Sequence, residues 1–177
     1  MKNLLLTSCL VVATALSPVA ASAAMPESVD KAAPAMNMDK ASFLKLVESS
    51  NAFEIQSSQM AEKKARDGDV KEFAKHMIAD HTKAGEELKT AAKLPADAQP
   101  MLSPKHAAML KTLESANEQE FQPLYIEMQA AAHREAVTVF ATYAKGGDDE
   151  AVKAFAAKTL PTLQMHKMHV MKLVEAH

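Results

Sequence analysis

The sequence predicts an all-α fold with four long amphipathic helices in two antiparallel pairs, and three observations carry that prediction. Apolar residues beyond residue 38 recur at spacings of three and four, as on one face of a helix. Gly is scarce at 4 residues and Trp is absent while Ala and Met abound, which favours helices over sheets. Strong helix breakers cluster at Gly68, at Pro95, Pro100 and Pro104, and at Gly146-Gly147, so the chain is punctuated between long segments. A length of 177 residues with 48% hydrophobic content suits one domain with a core.

The first 23 residues are expected to be a signal peptide. Lys2 supplies a positive start, Leu4 to Leu16 an apolar run, and Ser17-Pro18 a break. Ala21-Ser22-Ala23 is a small-x-small cleavage site. A membrane-spanning helix needs roughly 20 apolar residues, more than this run provides. Cys9 lies too close to Lys2 to end a lipoprotein signal. Cleavage leaves a mature chain without cysteine, hence without disulfide, thiolate ligand or cysteine nucleophile. The expectation is a periplasmic protein with no stable membrane anchor after cleavage. Residues 24–38 read as a flexible leader and residues 39–177 as the bundle domain.

The first helix opens on Asp39 as N-cap and runs to about Arg66, with Phe43, Leu46, Val47, Phe53, Met60 and Ala61 as its apolar stripe. Gly68 is expected to end it. Asp69 is then the N-cap of the second helix, with Glu72 completing a capping box, and the stripe runs Val70, Phe73, Met77, Ile78, Ala84, Leu88, Ala91 to an end near Lys93. A proline-marked connection follows, holding a short helix from Ser103-Pro104 to about Ser115. The third long helix starts at Asn117, with Glu120 in the capping box, or slightly later at Gln122-Pro123. Gly146-Gly147 ends it, Asp148 is the expected cap of the fourth, and Pro161 is expected to kink or restart that last helix. The long middle connection could cross the length of the bundle, giving a ferritin-like topology; an up-down-up-down bundle fits the spacing equally well.

The informative residues are polar ones standing in apolar stripes. Glu54, His81, His133 and His166 do so, one on each long helix. A buried ionisable group without a partner is costly, so these four need partners. Counting residues from the turns puts Glu54, His81 and His133 at one depth in a ferritin-like topology. The same count leaves His166 about six residues off level, roughly 9 Å, and nearer Glu127. One reading is a metal site of Glu54, His81 and His133, with His166 and Glu127 as additions, holding a transition metal ion such as Fe, Zn, Mn or Cu. The other is a buried polar layer hydrogen-bonded through Ser50, Ser57, Tyr125 and Asp80. A di-iron carboxylate site would need two Glu-x-x-His motifs, but Ile78 and Leu163 stand three before His81 and His166, which argues against ferroxidase chemistry.

Met165-His166-Lys167-Met168-His169-Val170-Met171 offers thioethers and imidazoles that would suit Cu(I), to which Met36-Asn37-Met38 could add; as a stripe it equally suits core packing. Asp80 and His81 are adjacent, so their side chains diverge on a helix and form no dyad. Ser57, Ser58 and Ser103 lack a base and orienting acid nearby in sequence, and no Gly-rich phosphate loop occurs. His76, His106 and His177 read as surface or connection residues. With 20 basic against 22 acidic residues in mixed order, no nucleic-acid surface is indicated.

Glu54-Ile55, Ser58-Gln59-Met60-Ala61 and the run from Val70 to Thr82, with its Phe-Ala-x-x-Met-x-x-Asp-His core, resemble the paired-helix signature of an exported bacterial family, domain of unknown function 4142. Phe121 with Tyr125, His133, and Leu160-Pro161 followed by His166 are similar to its second half. The resemblance implies a ferritin-like fold in the periplasm or envelope and assigns no chemistry. It retains Glu54, Asp80, His81, His133 and His166, while Gln122 stands where the family often has Asp. From the inward Glu and His residues, the expectation is a metal-handling or envelope-stress role through a metal bound in the bundle core. The alternative is a non-enzymatic structural or interaction module of the envelope, with a homo-oligomer or an envelope protein as partner.

Overall fold

The computed structural model describes residues 38–177. The expected signal peptide and all of the leader except Met38 lie outside the described residues. Among these residues the secondary structure is five helices: α1 (Lys40–Lys64), α2 (Gly68–Ala92), α3 (Pro104–Ser115), α4 (Glu118–Gly146) and α5 (Glu150–Ala176). None of them is long and apolar enough to cross a membrane.

The helix starts follow capping chemistry. Asp39, Ser103 and Asn117 are the N-caps of α1, α3 and α4, and Asn117 with Glu120 completes a capping box. Two expected caps move by one or two residues. Asp67, not Asp69, starts α2, because its carboxylate accepts from the backbone N–H groups of Asp69 and Val70. Gly68 thereby becomes the first residue of α2 instead of the end of α1, which closes on Ala65 in an extended conformation. Likewise Asp149 starts α5 through the Val152 N–H, and Asp148 instead accepts the Tyr143 hydroxyl. α2 ends on Lys93, a non-glycine residue in the left-handed region (φ 59°). Pro161 does not restart α5: it and Ala157, whose carbonyl it leaves unpaired, both face solvent.

The cross-helix contacts decide the topology. Phe43 at the start of α1 stacks on Tyr143 at the end of α4, with ring centroids 4.1 Å apart. At the opposite end, Gln122 near the start of α4 accepts the backbone N–H groups of Arg66 and Asp67 in the α1–α2 turn, each at 3.0 Å. α1 and α4 are therefore antiparallel neighbours. α2 and α5 are also antiparallel, pairing Glu87 with Lys158, Asp80 with His166 and Phe73 with His169. α2 thus ends at the Phe43 end while α4 begins at the Gln122 end, so the connection between them crosses the length of the bundle, as in ferritin-like folds.

The crossover is anchored through α3. His106, expected on the surface, is buried: its Nδ1 lies 2.7 Å from Ser49 Oγ and its ring stacks on Phe53. Leu46 faces outward at 42% exposure, while the rest of the α1 stripe packs inward or sits half-buried. The core falls into two apolar clusters. One gathers Phe53, Phe73, Met77, Phe121 and Tyr125, and the other Phe43, Leu88, Phe140, Tyr143 and Phe155. The buried Glu54, His81, His133 and His166 belong to neither; each histidine falls between the two along its helix, while Glu54 directly follows Phe53 of the first.

Candidate metal centre

Three helices each turn one imidazole into the buried middle of the bundle: His81 from α2, His133 from α4 and His166 from α5. Their ring centroids form a nearly equilateral triangle with sides of 5.8, 5.5 and 5.4 Å. One donor atom from each ring lies within 4.8 Å of the other two.

Each ring is oriented from behind by a different acceptor. His81 Nδ1 faces Asn51 Oδ1 at 3.0 Å, His133 Nδ1 faces the Gln129 carbonyl at 2.9 Å, and His166 Nε2 faces Asp80 Oδ2 at 2.9 Å. An acceptor at one ring nitrogen holds the proton there and leaves a lone pair on the other. The remaining nitrogens, His81 Nε2, His133 Nε2 and His166 Nδ1, are buried and have no hydrogen-bond partner. Burial disfavours the imidazolium form in all three, lowering His133 to about 4 and His81 and His166 in the same direction, with Asp80 partly opposing the shift at His166. The result is three imidazoles whose charged forms are disfavoured, each with one buried nitrogen that has no partner. Such a set can hold a transition metal ion.

Glu54 lies beside this trio. Its Oε1 is 3.9 Å from His133 Nδ1, the edge of the ring that already faces the Gln129 carbonyl, and its Oε2 is buried without a partner. Burial raises its pKa from 4.5 to about 8, with the Gln129 side chain opposing the shift. Gln129 was absent from the sequence-derived set; it is fully buried and donates from Nε2 to Ser57 Oγ at 3.0 Å. Ser58 Oγ and Tyr125 Oη lie 2.9 Å apart, which joins α1 to α4 one step further along.

Two expectations need correction. Glu127 is exposed and takes no part in the centre. His166 is not off level, since it is one of the three. Residue counting places every group at its Cα, but side chains lean toward the N-terminus of their own helix. In the antiparallel pair α4–α5 this carries His133 away from the connecting turn and His166 back toward it, which removes much of the apparent offset. The methionine stripe also divides: Met165 and Met168 are exposed at 57% and 59%, and Met171 packs against the core.

No curated protein matches the chain in sequence. Among solved structures, "CopM in the Cu(II)-bound form" is similar with a TM-score of 0.65 at 18% identity, over 80% of this chain and 99% of that one. At that identity the likeness speaks to the fold alone. The family described as Domain of unknown function (DUF4142) matches residues 25–173, nearly all of the chain outside the expected signal peptide, and the protein belongs to that family.

Proposed function

We propose that this protein is a metal-handling protein of the bacterial envelope that binds one copper ion through His81, His133 and His166, with Glu54 as the nearby counter-charge. One observation carries the reading: five buried polar atoms in this layer have no partner, and three of them are the free nitrogens of the trio. A self-sufficient polar layer would satisfy its own groups, because native interiors leave few such atoms unpaired. An ion satisfies three at once.

Copper is favoured over other divalent ions by the general affinity order at imidazole sites. The Cu(II)-bound state of the similar structure is compatible with that choice. Three nitrogens around one ion at about 2.0 Å would sit about 3.5 Å apart, so the trio would draw together by roughly an ångström on binding. A cation there would favour the ionised form of Glu54, so uptake would release a proton. The expected signal peptide supports a periplasmic setting, where the mature chain would meet copper outside the cytoplasm.

The test is copper content and thermal unfolding of mature protein prepared without a His tag. One equivalent of copper, and stabilisation of about 2.7 kcal/mol at a hundredfold excess over Kd, are expected for the native chain. His133→Ala should lose both. Copper far below one equivalent with no change in unfolding would leave the structural-layer reading in its place.

A further inference from the structure

The seam between α2 and α5 carries a second set of donors just outside the trio. His166 spans the two environments: its Nδ1 points among the buried groups, while its Nε2 meets Asp80, whose side chain is 45% exposed. On α2, His76 is exposed and lies one turn before Asp80. On α5, His169 is half-buried one turn after His166, with its ring edge-on to Phe73 at 5.1 Å. The Phe73–His169 and Asp80–His166 contacts both cross the seam, and His76 falls between Phe73 and Asp80 on α2. Met165 is four residues before His169 on the same face of α5, and its thioether is displayed to solvent where packing makes little use of it.

We propose that His76, His169 and Met165, with the outer side of the Asp80 carboxylate, form a docking station that takes copper from solvent and passes it to the buried trio by way of His166. The inference rests on the metal reading given above and adds the route of entry. Two imidazoles, a thioether and a carboxylate would accept either oxidation state of copper, and the soft thioether favours Cu(I). The trio offers three buried lone pairs against a station open to water, so the ion would move inward. Asp80 would serve both places, holding the His166 proton and drawing the cation toward that ring.

The experiment delivers Cu(I) as its bicinchoninate complex and follows the loss of colour in a stopped-flow instrument. His76→Ala/His169→Ala should load about tenfold more slowly, the scale on which local focusing of a cation alters association. Its final copper content should equal that of the native chain. Met165→Leu, which preserves packing, should slow loading in the same direction. Equal rates in all three proteins would overturn the station while leaving the trio intact. If the native chain takes up no copper at the trio, the metal reading itself fails. The station is then judged by NMR alone: Cu(I) should shift the His76 and His169 ring protons and the Met165 methyl, and unshifted signals would overturn it.

Discussion

Replacing Glu54 by Gln should make the metal-free protein more stable, by an amount that grows with pH. In the folded chain the carboxyl is fully buried, and desolvation moves its pKa from 4.5 to about 8. Between those values an unfolded chain has released this proton while the folded chain still holds it. Folding then takes up a proton, so the contribution of Glu54 to stability is intact below pH 4.5 and is lost progressively as pH rises to 8. At about 1.4 kcal/mol per pH unit over that interval, the loss is on the order of 5 kcal/mol. Gln copies the shape of the neutral acid and cannot ionise, so the variant escapes the loss. His133, lowered to about 4, contributes the opposite slope between about 4 and 6.5, but it is present in both proteins and cancels in the difference. Urea unfolding followed by circular dichroism from pH 4 to 8.5, in chelator, gives the comparison directly. The two proteins should coincide near pH 4 and separate steadily above pH 5, the variant being the more stable. A difference that stays flat with pH would show that Glu54 titrates near its ordinary value. A less stable variant at pH 8 would mean that ionised Glu54 is paired with protonated His133, which would refute the neutral-trio argument.

Substitutions at three further positions can be checked by chemical denaturation. Lys93→Gly should stabilise by about 1 kcal/mol, because this exposed residue closes α2 at φ 59°, where only glycine escapes the Cβ penalty. Gln122→Ala should destabilise by roughly 1–3 kcal/mol, since it orphans the backbone N–H groups of Arg66 and Asp67 at the α1–α2 turn. Gln122→Glu should recover most of that loss, because a carboxylate oxygen can accept the same two bonds. Gly147→Ala should cost about 1–3 kcal/mol, because the added Cβ would come within 2.5 Å of the Tyr143 ring, which cannot retreat while stacked on Phe43.

The inward turn of Glu54, His81, His133 and His166 was legible in the sequence because helical period is a local property: a polar residue in an apolar stripe faces the core whatever the neighbours are. What holds each group was not legible. Asn51 serves His81 and Asp80 serves His166, each from a helix other than that of its histidine, so finding them requires the relative rotation of two helices, which period alone does not contain. The crossover was open for the same reason, and His106 read as a surface residue because only the crossing connection brings it over Ser49 and Phe53. The caps at Asp67 and Asp149 slipped because two acidic residues compete within each turn, and side-chain reach to particular N–H groups decides between them. Gln122 is instructive in another way. An acidic residue expected there invites a catalytic or ligand role, yet here the Gln side chain ties a turn to a helix end. The trio differs in kind from that position. Its members are held by three unrelated acceptors — an amide, a backbone carbonyl and a carboxylate — and all leave the inner nitrogen free. A hydrogen-bonded layer kept for stability would be expected to turn its groups toward one another. Here each ring faces its acceptor with one nitrogen and leaves the other buried without a partner, and on that feature the copper proposal rests.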